Sequence, residues 1–110
     1  MIEGFIMNYN DYGKQLSDIE ILSGKHRKFV GSFWKEIGNL QFEFLCAQGL
    51  RKKDKLLDIG CGALRGGIHF IKYLEEGNYT GIDANESLIR AGELEIQKAG
   101  LLAKKGTYFR

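Results

Sequence analysis

The sequence predicts an α/β protein whose strands lie parallel in a small sheet, and three observations carry that expectation. Short apolar runs over Lys55–Ile59 and Asn78–Asp83 have the length of strands and stop at a glycine or an acid. Between and after them apolar residues recur at steps of three and four, the spacing of a helix face. The resulting order of helix, strand, helix, strand, helix is the alternation that parallel strands with right-handed crossovers produce.

Taken in order, residues 1–15 mix polar and aromatic side chains without a period. Ser17 or Asp18 can cap a first short helix running to about Leu22, before Gly24. A longer helix is expected next, with Val30, Phe33, Trp34, Ile37, Leu40, Phe44 and Leu45 on one face packed against the sheet, and Gly49 as its left-handed cap. After the polar turn at residues 51–54 comes the first strand. Ile68, Ile71 and Leu74 then mark a helix that ends before Gly77. The second strand ends on Asp83. Asn85 caps a helix carrying Leu88, Ile89, Ala91 and Ile96, with Gly100 beyond its last turn, and Thr107–Phe109 is a candidate third strand. The expected division is an N-terminal helical extension over 1–50 and the sheet-bearing domain over 51–110.

Composition bounds the function. A length of 110 residues fits one small domain. At 44% hydrophobic and 27% charged the chain is neither disordered nor membrane-spanning, and no apolar stretch nears the ~20 residues a bilayer requires. A net charge of +2 is too balanced to argue for nucleic acid, and the basic clusters at Lys25, Arg27, Lys28 and at Arg51, Lys52, Lys53 are expected as solvated surface. Cys46 and Cys61 have neither metal-ligand spacing nor the look of a disulfide framework, which suits reduced thiols. With no signal peptide in the opening MIEGFIMNYN, a soluble cytoplasmic protein without a metal is expected.

The chemistry concentrates in LLDIGCGALRGG, residues 56–67. A strand feeding a glycine-rich turn and then a helix lets a backbone approach a cofactor closely. Glycine tolerates positive φ and carries no Cβ to obstruct the ligand, and the helix start offers free N–H groups. Asp58 stands two residues before Gly60, where a dinucleotide-binding strand would usually be apolar. Asp83 ends the second strand 25 positions later (83 − 58). Parallel strands end at one rim of the sheet, so the two carboxylates are expected to flank one crevice with Gly60 and Gly62 between them. An acid at the second strand end is placed to hold two ribose hydroxyls.

LLDIGCGALRGG followed by NYTGIDANESLI resembles the first two motifs of class I S-adenosylmethionine-dependent methyltransferases, over about residues 55–90. The family pattern is acid-x-Gly-x-Gly-x-Gly. Asp58, Gly60 and Gly62 match it, while Leu64 stands at the third glycine and Arg65, Gly66 and Gly67 follow, so the glycine requirement is expected to have shifted by two residues. The segment HRKFVGSFWKEIGNLQFEFL resembles the helix that precedes this motif in some small-molecule methyltransferases.

The resemblance implies a partial Rossmann-like sheet of two to three strands, the cofactor-binding half of a larger one, with S-adenosyl-L-methionine as cofactor. Gly60, Cys61 and Gly62 would face its methionine portion, with Asp58 shaping the loop or meeting the ammonium through water. Asp83 would take the ribose hydroxyls, and Ala84 and Asn85 would border the adenine. The methyl group would pass to a small-molecule or protein acceptor. The open edge of the first strand is expected to be completed by the rest of a longer enzyme or by another chain, so that this chain alone either dimerises through that edge or is only marginally stable.

Other polar residues receive plainer expectations. Cys61 is not expected to be a nucleophile, because no histidine is placed to activate it. His69 is expected packed or solvated. His26, beside Arg27, is expected at the surface or reaching over the cofactor carboxylate. Arg65, at the loop–helix junction, is expected to pair with Asp58 or another carboxylate. Two rival functions stand beside the first. A nicotinamide-dependent oxidoreductase would need Gly-x-Gly-x-x-Gly, and Gly66 comes one residue late for it. A non-catalytic binding or assembly protein finds its support in Leu64.

Overall fold

A computed structural model describes residues 14–31 and 33–104 and the strand over 107–109. The aperiodic opening, up to residue 13, lies outside the described residues. Three short helices come first, α1 (Asp18–Leu22), α2 (Lys25–Phe29) and α3 (Trp34–Ala47). Then β1 (Leu56–Ile59), α4 (Gly67–Tyr73), β2 (Tyr79–Ile82) and α5 (Glu86–Lys98) alternate, and a 3-10 turn (Leu102–Lys104) leads to β3 (Thr107–Phe109). The strands form one parallel sheet in the order β1-β2-β3, with Asp58 opposite Gly81 and Ile59 opposite Ile82. The α/β expectation and all three strands are thus present, with two parallel pairings made through helical crossovers.

Local chemistry accounts for the helix boundaries. Ser17 starts α1 through a capping box: its Oγ accepts from the Glu20 N–H at 3.2 Å while Glu20 Oε1 accepts from the Ser17 N–H at 2.9 Å. Asn85 caps α5, its Oδ1 accepting from the Leu88 N–H at 3.2 Å. The long helix expected from Val30 is instead broken. Gly31 has φ 118° and Phe33 has φ 62°, so the chain turns out of α2 and re-enters helix only at Trp34. Val30 and Phe33 therefore fall outside α3. The packed face of α3 also differs from the apolar stripe: Gly38 is buried and Phe42 and Leu45 join the core, whereas Phe33, Leu40 and Phe44 remain 67%, 60% and 60% exposed.

Two apolar clusters hold the layers together. In the first, Phe70, Ile71 and Leu74 of α4 meet Tyr79 of β2 and Ile96 of α5, with Leu64 and Cys61 from the loop and Phe42, Leu45 and Leu50 from the α3 side. In the second, Leu16 and Ile21 pack on Ala63, Leu88 and Ala91, with Phe29, Val30 and Trp34 around them. Segments on both sides of residue 50 therefore share both clusters.

An ionic latch fastens α2 to α5. Glu95, 4% exposed, accepts from His26 Nε2 at 2.5 Å and from both Nε (2.9 Å) and Nη2 (2.7 Å) of Arg27. The Arg27 guanidinium lies over the Trp34 ring at 5.0 Å, and the His26 ring meets the same indole edge-on. His26 is fully buried, which replaces both sequence expectations for it. Arg27 is likewise paired rather than simply solvated. Burial would raise the Glu95 carboxyl, but hydrogen bonds from Arg27 and His26 outweigh it and hold the group at about 2, against an ordinary 4.5.

The latch should be visible in stability. Glu95→Ala leaves His26 and Arg27 without their shared acceptor and is expected to cost about 3 kcal/mol in denaturant unfolding. Because the folded-state value of Glu95 is depressed, its contribution is complete above about pH 5 and is lost as pH falls from 4.5 toward 2. Unfolding curves across that window should fall more steeply for the parent chain than for Glu95→Gln.

Candidate functional site

The loop after β1 is held by the end of β2. The Ile82 carbonyl accepts from the N–H groups of Gly60 (2.8 Å) and Cys61 (3.0 Å), extending the parallel pairing by one turn. Asp83 then completes the hold. Its Oδ2 accepts from the Gly62 N–H and its Oδ1 from the Asn85 N–H, each at 2.8 Å, and the residue is 5% exposed. One carboxylate thus ties the glycine turn to the start of α5.

The course of the loop explains its composition. Gly60 and Gly62 take φ 77° and 55°, and so does Leu64, at φ 68°. The third position of the glycine pattern therefore keeps its left-handed backbone with a leucine in place, and the expected shift of the requirement to Gly66 does not occur, since Gly66 has φ −86°. The leucine is accommodated because its neighbours are small. A Cβ on Gly92 of α5 would sit 2.8 Å from Leu64 Cγ, and one on Gly67 would sit 2.8 Å from its Cδ2. Gly66 answers to packing too, since a Cβ there would lie 2.5 Å from Gln41 Oε1 on α3. A left-handed leucine costs about 1–2 kcal/mol, and burying its side chain offsets that by about 2–3 kcal/mol.

In front of this loop lies a cavity of about 320 Å³, within the range of about 300–1,000 Å³ usual for small-ligand sites. Asp58, Gly60, Cys61 and Gly62 all line it, together with Ala63, Arg65 and Phe70, and α3 closes it with Gln41, Phe44 and Leu45. A Cβ on Gly60 would meet nothing within 4 Å, so the loop's outer side is open to an approaching group. Asp83, Ala84 and Asn85 do not line the cavity. Ala84 is exposed, whereas Asn85 is 3% exposed and committed: it caps α5, and its Nδ2 donates to the Lys14 carbonyl at 2.8 Å. Residues 14–16 are further pinned there by Leu16 N–H to Ser87 Oγ (2.8 Å) and Ser87 N–H to Gln15 Oε1 (3.0 Å).

The electrostatics separate the cavity's polar groups. Asp58 accepts from the Tyr79 hydroxyl at 2.6 Å, across the space left by Gly81. Burial raises its carboxyl above the ordinary carboxylate value, the tyrosine bond opposes that, and the charge of Asp83 adds to it. Cys61 tucks over Gly81, where a Cβ would lie 2.9 Å from its Sγ. Burial, then the charges of Asp58 and Asp83, push its thiol up to about 12, so almost no thiolate forms at neutral pH, as expected of a packing residue. His69 is tilted against Phe42 with ring centroids 5.9 Å apart, and burial, with Lys72 nearby, lowers its pKa. Arg65 is 9% exposed, and its Nη1 donates to the Val30 carbonyl at 3.4 Å. Tyr79 and Gln41 are the contributors that sequence reasoning missed. Tyr79 becomes legible only once the β1–β2 register is known.

The same arrangement of strands and helices occurs in solved structures that include a methyltransferase. Among solved structures, magnesium protoporphyrin IX methyltransferase (ChlM) from Synechocystis, crystallised with bound SAM, superposes with a TM-score of 0.57 at 18% identity, covering 97% of this chain and 48% of that one. The same enzyme with SAH gives 0.56. The YcgJ protein of Bacillus subtilis gives 0.50 at 22% identity, over 64% of this chain and 28% of that one. In sequence, the uncharacterized protein MJ0906 of Methanocaldococcus jannaschii is 29% identical over 89% of this chain. An uncharacterized methyltransferase of Schizosaccharomyces pombe, C1B3.06c, is 32% identical over 51% of it. The chain spans 30% and 20% of the length of these two curated relatives. No protein-family model matches the chain.

The balance at Leu64 can be measured. Leu64→Ala and Leu64→Gly each empty the space beside Gly92 and are expected to lose about 2–4 kcal/mol of stability. The glycine variant should be the more stable of the two by about 1 kcal/mol, because it relieves the left-handed strain. The opposite order in urea unfolding would contradict the conformation assigned to residue 64.

Proposed function

We propose that this chain forms the S-adenosyl-L-methionine-binding part of a methyltransferase. The observation that carries the reading is the cavity at the C-terminal rim of β1, lined by Asp58 and the Gly60–Gly62 loop, with the acid at the end of β2 clamping that loop. Asp58, Gly60, Cys61 and Gly62 hold the methionine portion of the cofactor. Asp83 keeps the loop in shape by accepting from the Gly62 and Asn85 N–H groups, and the same acid, at the end of β2, is assigned the ribose hydroxyls. Ala84, exposed beside it, borders the adenine, and Asn85 supports that edge from beneath by capping α5.

When bound, the cofactor supplies an electrophilic methyl group on a sulfonium centre. The protein's own part is positioning. The pinned loop fixes the methionine end, the apolar side chains of Phe44, Leu45 and Phe70 exclude water, and Asp58 compensates positive charge at the cavity. The acceptor is a small molecule or a protein side chain, and the unpaired thiols Cys46 and Cys61 fit a cytoplasmic setting. No helix among the described residues is long and apolar enough to cross a membrane.

Calorimetric titration separates this reading from its rivals. Binding of S-adenosylmethionine or S-adenosylhomocysteine, with none of NAD, is the expected result. Affinity for NAD would favour an oxidoreductase, and affinity for neither would favour a non-catalytic assembly protein. Asp83→Asn places an amide N–H₂ against a backbone N–H. It is expected to lower stability by about 1–3 kcal/mol and cofactor affinity by about tenfold or more.

The same reading includes self-association along β1. This strand pairs on one side only among the described residues, and its Leu57 and Ile59 are 58% and 74% exposed. Sedimentation should show a dimer that Ile59→Lys weakens. A concentration-independent monomer would remove this element of the proposal.

A further inference from the structure

A second cavity, of about 270 Å³, is walled by residues of α2, α3, α4 and α5 and shares only Arg65 with the one in front of the glycine loop. Four basic side chains line it, Arg27, Lys35, Arg65 and Lys98, against one carboxylate, Glu95. That carboxylate is already answered. Both of its oxygens accept from Arg27, and one also meets His26 Nε2. Arg65 is engaged as well, its Nη1 donating to the Val30 carbonyl, and is left out of the count.

What remains is rich in donors and poor in acceptors. The Arg27 guanidinium lies at the wall, because Glu95 and Trp34, the groups it touches, both line the same space. Its Nε and Nη2 donate to Glu95, while Nη1 has no acceptor among the described residues. Lys35 and Lys98 are exposed and pair with no acid among the described residues. The carbonyls that end α5 are taken too, since those of Glu95, Ile96 and Gln97 accept from the N–H groups of Ala99, Leu101 and Gly100. Arg27 and Glu95 cancel in charge, which leaves the two lysines unanswered around a small space. Guanidinium and ammonium groups both take phosphate and carboxylate oxygens. A volume just under the ~300–1,000 Å³ usual for small-ligand sites suits a compact molecule.

We propose that this cavity binds a small polyanion, a phosphate- or carboxylate-bearing molecule with two or more negative charges, held by Arg27, Lys35 and Lys98. An occupant joins α2 and α3 to the last turn of α5, beside the Glu95 latch. The site is independent of the S-adenosylmethionine reading, and either can fail alone.

Trp34, the only tryptophan of the chain, lines the cavity, so its emission reports occupancy without a label. The whole chain is titrated with pyrophosphate and with citrate, against sodium chloride at matched ionic strength. A saturable change with a polyanion, absent with chloride, is expected, and the stronger of the two responses identifies phosphate or carboxylate as the ligand's charged group. In Lys35→Gln/Lys98→Gln the dissociation constant should rise about tenfold or more. Lys35→Arg/Lys98→Arg, which keeps both charges, should bind as the parent does. A change in the parent no larger than that with chloride would overturn the proposal without needing any variant to fold. So would an unchanged dissociation constant in the glutamine variant, because the anion would then be held elsewhere. Competition by S-adenosylhomocysteine would place the anion at the glycine loop and would overturn it as well.

Discussion

A single carboxylate joins the two halves of the site. Asp83 stands one residue past β2 and accepts from the Gly62 N–H on one side and the Asn85 N–H on the other. Buried ions are expensive unless hydrogen bonds replace their lost water, and bonds from backbone N–H groups to a charged acceptor are among the stronger ones. The same exchange that makes the buried acid tolerable therefore fixes the glycine turn relative to α5. The cavity in front of the turn inherits its shape from that contact, as does the short path from β2 into the Asn85 cap.

The loop also illustrates how a pattern can be kept in backbone and lost in sequence. The left-handed conformation persists at residue 64 although the glycine is gone, because glycines at 67 and 92 supply the room that the leucine occupies. Strain at one residue is offset by burial at the same residue. The loop thereby becomes part of the hydrophobic core rather than a flap lying over it, with Leu64 2% exposed and Ala63 1% exposed.

Much of this was legible in the sequence, and the exceptions share a cause. The strands, the α5 cap at Asn85, the α1 cap at Ser17 and the shared rim of Asp58 and the glycine loop follow from local pattern and spacing. What failed depended on partners distant in the chain. The α3 stripe misled because the helix meets the loop through Gly38 and Gln41, a glycine and an amide that an apolar count does not register, while Leu40 and Phe44 stay largely exposed. His26 sits within a basic run that looks solvated, yet its acid lies 69 positions away on α5. Asp83 was correctly placed at the strand end, but nothing in its neighbourhood announces that both of its oxygens are engaged by main-chain N–H groups.

The acids of this protein differ in how fully their charge is answered, and the difference points to where binding free energy is available. Glu95 is met by a guanidinium fork and an imidazole and is held low, at about 2. Asp83 is met by two backbone N–H groups. Asp58 accepts from a neutral tyrosine hydroxyl, is desolvated, and has its carboxyl raised by that burial and by the charge of Asp83. A cation arriving at Glu95 would have to displace one already there. One arriving at Asp58 would relieve a cost the folded chain already carries, because opposite charge at short range favours the ionised form. Of these three acids, the fold thus leaves the one answered only by a neutral donor on the wall of a cavity, where a positively charged ligand group gains by binding.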